Sequence, residues 1–287
     1  MEDFLYKLIN TFIFMRPYVL GFFIIYFIGG LAQFGLLRTV AFTVLGYFIA
    51  WFSEFLSINI GIPYGYYYYI EKTRPIELWL MGVPVWDSIS YVFLVYASYS
   101  TALLVVCPLV FPYLLETRRL RHGIYTRVLA TVLFVYLDII IDPITLHGDK
   151  WFLGQVYGYN EKGAYFGVPI SNFIGWFVTG FLMITVFQKV DSFLFNKNIK
   201  DKYANNWSLR YTIGPALYVS VMIFNLGVAF YIRQYNIAIA GFFIAFMIIV
   251  FLYTVVKYNN KDVKDIMKAH KEDFPDVILK EIRFAKK

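Results

Sequence analysis

Charge is scarce in this chain: only 16% of its 287 residues are Asp, Glu, Lys or Arg, against 60% apolar ones. A water-soluble domain carries about 25% charged and about 45–50% apolar residues, so a soluble globular fold is excluded. Cysteine is nearly absent. Cys107 stands alone inside an apolar run, which rules out an intramolecular disulfide and a cysteine metal cluster and says nothing of redox compartment. His122, His147 and His270 are scattered, so histidine-box di-iron chemistry lacks its ligands. No phosphate-cradling glycine loop or dinucleotide fingerprint stands beside a strand pattern, and the last apolar block holds no internal lysine for a retinal Schiff base. Glu2 and Asp3 precede the first apolar run where a signal peptide would be basic, and no small-residue cleavage site follows, so that run is expected to be retained. The net charge of +7 comes from residues between and after the apolar blocks, not from a stripe on a folded domain, which argues against nucleic acid as a partner.

What the chain has instead is long apolar blocks. A hydrocarbon core of about 30 Å needs roughly 20 residues of helix. Seven blocks meet that length, roughly 17–37, 39–60, 85–110, 124–146, 168–193, 211–231 and 237–256. The expected fold is an all-α polytopic transmembrane bundle of about seven spans, one domain over 1–256, with a basic amphipathic tail over 257–287. Segment 4–15 reads as a short interfacial helix. Alternate loops give one side Arg38, then Arg118, Arg119, Arg121 and Arg127, then Lys189, Lys197, Lys200, Lys202 and Arg210, and finally the tail. The positive-inside rule then puts the C-terminus in the cytoplasm and the protein in the cell membrane, although Arg16, Lys72 and Arg74 oppose the bias. The tail either is solvated or lies on anionic headgroups.

An internal echo runs through the middle of the chain. Span two ends near Glu54 and leads through Gly61-Ile-Pro-Tyr-Gly65 and Tyr66 to Tyr69 into Gly82-Val83-Pro84, where span three starts. Span four ends near Asp138 and Asp142 and leads through Tyr157-Gly-Tyr159 and Tyr165-Phe-Gly167 into Gly167-Val168-Pro169, where span five starts. Proline in a first helical turn loses no needed hydrogen bond. The pattern predicts two parallel helical hairpins, spans 2–3 and 4–5, with both aromatic loops on the same side.

An ionisable group at the bilayer centre costs roughly 2.5–3.5 kcal/mol, so those that remain face a cavity or a partner. Glu54, Asp138 and Asp142 therefore need a reason. Asp138 and Asp142, four residues apart, share a helix face about 6 Å apart along the axis, and two acids so placed in a dry site hold a proton between them. Asp142 also has a plainer reading, since it precedes Pro143 and would simply end its helix. Asp87, near the start of span three, reads as a cap or dipole partner, or as a site group. Asn172 lies in a similar place after Pro169, with Trp176 close behind, and would hydrogen-bond a loop or position a water. Tyr64 and Tyr66, in the loop over the acids, belong either to an interfacial aromatic belt or to a wall whose ring faces stabilise a cation. The D-x-x-x-D of Asp138 to Asp142 is shared with the magnesium sites of membrane prenyltransferases, but their second acidic motif is missing. Neither a metal nor a cofactor is expected, and proton chemistry is what remains.

These residues resemble the membrane carotenoid hydratases that act on γ-carotene, lycopene-like ends or bisanhydrobacterioruberin. The likeness rests on Glu54 with Gly61-Ile-Pro-Tyr-Gly65-Tyr66-Tyr67-Tyr68, on Gly82-Val83-Pro84, on Asp138 through Asp142-Pro143, and on Tyr165 through Trp176, and covers about residues 50–180. It implies a cofactor-independent addition of water to a terminal isoprenoid double bond, giving a tertiary alcohol. The substrate would be a linear or monocyclic carotenoid in the lipid bilayer, handled alongside other carotenoid biosynthesis enzymes. In that reading Asp138 donates the proton, Glu54 or Asp142 orients the water, and Tyr64 or Tyr66 faces the cation, with Asp87, Asn172 and Trp176 lining the substrate. The rival classes are a proton-coupled transporter, in which the acids form a relay, and a non-catalytic carotenoid- or lipid-binding protein.

Overall fold

The computed structural model describes residues 2–199, 207–258 and 263–275. They form an all-α bundle. The helices are α1 (Glu2–Ile9), α2 (Pro17–Gln33), α3 (Leu36–Ile60), α4 (Val85–Val106), α5 (Arg118–Arg121), α6 (Ile124–Thr145), α7 (Ile170–Asn196), α8 (Ile213–Tyr231), α9 (Tyr235–Tyr258) and α10 (Val263–Asp273). Six of them, α3, α4 and α6 to α9, are long and apolar enough to cross a membrane. A seventh span arises if α2 is counted together with the segment before it, Glu2–Met15, which meets α2 at 92°. That angle turns the amphipathic start of the chain across the bundle, as a helix lying in an interface requires.

Helix α4 is the hub: it is the most buried of the candidate spans, while the more apolar α9 is left largely to the bundle's outside. The hub packs against α2, α3, α6 and α8, while α6 also packs against α7 and α9, and α3 against α7. Span three was expected to reach residue 110. It stops at Val106, because Pro108 forces Cys107 out of helical geometry, to ψ 139°. The chain then turns through a small hairpin, β4 (Leu109–Val110) and β5 (Tyr113–Leu114). Asp142 was offered a plain role as a helix end before Pro143. The helix instead continues through Pro143 to Thr145, so Asp142 lies inside it.

At the end carrying Arg38 and α5, a buried charge cluster ties the helices. Asp191 near the end of α7 takes Arg121 Nε at 2.7 Å and His122 Nε2 at 2.8 Å and pairs with Arg38. Helix α10, the described part of the predicted tail, docks on this end: His270 is buried with Nδ1 against the Glu116 carbonyl, and the Arg118 amide donates to Asp273 at 2.7 Å. Residues 259–262 and 276–287 of that tail, and Lys200 and Lys202, lie outside the described residues.

Candidate active site

The acids gather at the other end, where the second and fourth spans finish. Two aromatic loops lie there. β1 (Tyr67–Tyr69) of the first pairs antiparallel with β6 (Tyr157–Tyr159) of the second, Tyr67 opposite Tyr159 and Tyr69 opposite Tyr157. This pairing stitches together two segments about ninety residues apart and sets four tyrosines over the helix ends.

Each loop returns through the same turn. β2 (Trp79–Leu80) and β3 (Val83–Pro84) are joined by Met81 and Gly82, at φ 51° and 86°, and the bridge between Tyr165 and Val168 is closed by Phe166 and Gly167, at φ 48° and 92°. Positive φ at both central residues defines the tight type I′ hairpin, and glycine at the second place removes half the strain. In both cases Val-Pro follows and the proline caps a helix, Pro84 for α4 and Pro169 for α7. Three residues after each proline stand Asp87 and Asn172; seven after stand Tyr91 and Trp176, whose rings stack at 4.6 Å. The echo in the sequence is thus a repeated turn and a repeated helix start facing one centre.

Around that centre every acid is held. Asp142 accepts three hydrogen bonds: Tyr157 OH at 2.7 Å on Oδ1, and Tyr159 OH at 2.8 Å and Asn172 Nδ2 at 2.6 Å on Oδ2. The same Asn172 amide group donates to Asp138 Oδ2 at 2.9 Å, and the buried Asp138 carboxyl also hydrogen-bonds with that of Asp142. Asp87 accepts from Tyr69 OH at 2.7 Å, and Tyr67 OH donates to Tyr69 OH at 3.3 Å. Glu54 accepts from Ser88 Oγ at 2.7 Å. Burial and the charge of Asp142 push the Tyr157 and Tyr159 phenols well above their ordinary value, so both stay neutral donors. Among the described residues no three His, Cys, Asp or Glu side chains are placed to hold a metal ion.

Two cavities meet here. A polar chamber with about 330 Å³ of empty space is walled by Glu54, Tyr64, Tyr67, Tyr69 and their neighbours. An apolar slot with about 680 Å³ of empty space runs between α2, α4, α6 and α8, past Phe22, Phe93, Leu94, Val221 and Phe224. Asp87, Tyr91, Asp142, Tyr157 and Trp176 line both, so they form the partition between wet and dry space.

The sequence-predicted residues distribute unequally around this partition. Glu54, Asp142, Asp87, Asn172, Tyr64 and Trp176 all line the polar chamber. Asp138 is fully buried behind Asn172 and lines neither cavity. Tyr66 is 57% exposed and outside both. Tyr64 is buried, its hydroxyl held by Ser53 at 2.9 Å and Thr179 at 2.8 Å, which pins its loop to α3 and α7. Asp87 spends its hydrogen bond on Tyr69, and α4 has no side-chain cap. Tyr91, Tyr157, Tyr159 and Ser88 had no assigned role in the sequence reading; the Tyr-Gly-Tyr pattern of β6, polar and aromatic on one strand face, was the available signal.

A family model described as a carotenoid biosynthesis protein matches residues 12–250. No curated protein and no solved structure matches the chain.

Proposed function

The chain belongs to the carotenoid biosynthesis protein family, and from that premise we propose that it is a hydratase, adding water to a terminal isoprenoid double bond of a linear or monocyclic carotenoid. The observation that carries this reading is the partition: two carboxyl groups, Asp87 and Asp142, stand where an apolar slot meets a polar chamber. An alkene needs the first space, a water the second, and a proton must pass between them.

Asp142 accepts three hydrogen bonds, each of which favours its charged form over the neutral one, so it is assigned as the base. Asp87 is held by one hydroxyl and keeps an oxygen for the slot, so it is the acid. Asp138 was the donor in the sequence reading, but it reaches neither cavity; here it acts as the partner that shares Asn172 with Asp142. In the proposed cycle the Asp87 O–H bond breaks and its proton joins the less substituted alkene carbon, using the π pair. The tertiary cation left behind faces Tyr91 and Trp176, whose ring faces attract positive charge. A chamber water near Glu54 attacks the cation, and Asp142 takes the proton that the water releases. Return of that proton to Asp87 completes the addition of one water.

The chemistry suits an integral membrane protein with its acid end at the outer side and the basic end, with α10, in the cytoplasm of the cell membrane. The test is expression in a host that makes a linear carotene, with pigments analysed by mass. A gain of one water per modified end supports the hydratase. Pigment that co-purifies unchanged, with no hydroxylated product, would instead favour a binding protein.

A further inference from the structure

The slot has a closed wall and an open one. Trp86, Tyr91, Phe93 and Leu94 of α4, with Trp176 and Val221, are buried. On the opposite side Tyr18 and Phe22 of α2, Phe224 of α8 and Trp151 are half-buried, and Phe152 beside them is 61% exposed. Aromatic rings close this seam. Tyr18 stacks on Phe224 at 5.4 Å, Phe22 meets Phe224 edge-on at 5.7 Å, and Phe152 packs on Tyr18 at 5.6 Å and Trp151 at 4.9 Å. Ring contacts of this kind are worth about 0.5–1.5 kcal/mol each and can open by side-chain rotation, unlike a backbone seam.

The other approach to the acids is lined by β1 and β6, whose tyrosine hydroxyls are engaged on Asp87 and Asp142. A carotene is dissolved in lipid, and passing beneath that polar sheet would bring it through water. The route between α2 and α8 is walled mainly by the rings of Tyr18, Phe22 and Phe224. The slot is also short: its α4 wall runs from Trp86 to Leu94, about 12 Å along the helix axis. A carotene is far longer, so most of it stays outside.

Resting on the hydratase reading, we infer that the α2–α8 seam is a lateral gate: one linear end of the hydrocarbon enters from the bilayer between Phe22 and Phe224, while the far end remains in lipid, unread. Phe22, Phe224 and Tyr18 set specificity without touching the proton.

The test uses the full-length protein with Phe22→Cys and Phe224→Cys, joined by a short bis-methanethiosulfonate, which forms a disulfide to each cysteine with loss of methanesulfinate and can be removed by reduction. Before bridging, the variant converts linear carotene; bridging lowers the rate at least tenfold, and reduction restores it. The same bridge between Phe177→Cys and Phe181→Cys, a stacked ring pair on α7 of which Phe177 is exposed and Phe181 half-buried, leaves the rate unchanged. Unimpaired conversion by the bridged Phe22/Phe224 variant overturns the gate. Absence of product from the unsubstituted protein counts against the hydratase reading instead. A second measurement needs no turnover: a photoreactive benzoylphenylalanine at Phe152 captures carotene in the membrane, and one at Phe48, 52% exposed on α3, does not. Equal capture at both positions overturns the gate whatever the activity.

Discussion

Replacing each acid by its amide separates the roles assigned above. Asp87→Asn keeps an oxygen to accept from Tyr69, so the fold should lose little, but the transferable proton is gone. General acid catalysis contributes about 10²–10⁴-fold, and conversion should fall by that factor. Asp142→Asn is different. Three donors converge on its two oxygens, and an amide turns one of those oxygens into a donor. One tyrosine or Asn172 is left without an acceptor in a buried place, which costs about 1–3 kcal/mol of stability in addition to the lost base. Asp138→Asn should be mild: its oxygen can take the bond from Asn172, and its amide nitrogen can donate to Asp142 where the acid pair now shares a hydrogen bond. Stability should stay within about 1 kcal/mol and conversion within about fivefold. The assay is pigment mass analysis in a carotene-producing host, paired with thermal unfolding of the purified protein in detergent. The reasoning is refuted if folded Asp138→Asn loses as much activity as Asp87→Asn, or if Asp87→Asn keeps more than a tenth.

Tyr69→Phe removes the one hydroxyl that donates to Asp87 among the described residues and takes the acceptor from the buried Tyr67 hydroxyl, so conversion should fall about tenfold and unfolding should become easier by about 1–3 kcal/mol; an unchanged rate would mean that Tyr69 does not orient the acid. Asp191→Asn leaves Arg38 and Arg121 buried with their shared counter-charge gone, so unfolding should become easier by about 3–5 kcal/mol, and a loss below 1 kcal/mol would show the cluster to be hydrated. At Gly175 an added Cβ would lie 2.8 Å from Tyr64 Cα, so Gly175→Ala should push the first aromatic loop off α7 and destabilise by about 1–3 kcal/mol; wild-type melting would contradict this packing. Burial holds His270 below the ordinary histidine value of 6.5, against the Glu116 carbonyl and the charges of Glu116 and Asp273 that oppose it. The unfolded helix therefore binds protons first, and docking of α10 should weaken as pH falls below about 6.5, read as faster amide exchange in Val263–Asp273; faster exchange on raising the pH would reverse the sign of this argument after correction for intrinsic rates.

The bundle was legible because its signal is local: each span is a run of apolar residues, and insertion into lipid leaves such a run one stable form. The acid end was legible for the same reason, since Glu54, Asp138 and Asp142 stand out against hydrocarbon. The finer geometry was not, because it depends on pairings between distant segments. Nothing in Tyr157-Gly-Tyr159 alone says that it lies beside Tyr67–Tyr69, yet that pairing puts two hydroxyls on Asp142 and one on Asp87. Asp87 looked like a cap because its position at the first turn of α4 is where caps occur; a tyrosine from β1 decided otherwise. Asp191 was hidden among basic loops, and only the fold shows that Arg38 and Arg121 come to it from α3 and α5. Counting loop charge treats those arginines as free, although they are largely neutralised.

The repeated hairpin explains why the two acids at the partition can differ. Both halves deliver a side chain from the position three residues after a Val-Pro, and both stack an aromatic ring seven residues after it. In one half the third residue is Asp87, in the other Asn172. Two identical halves would put like acids in like surroundings, with no distinction between donor and acceptor. The amide breaks that equality. Asn172 can only donate from its nitrogen, and it donates to both Asp138 and Asp142, adding to the tyrosine hydroxyls that already favour charge on Asp142. Asp87, at the equivalent place, has a single donor. Acid and base in the proposed cycle are thus separated by one amide-for-acid difference between two halves of otherwise similar construction, and pulling apart two carboxyl environments is what a proton-transfer site requires.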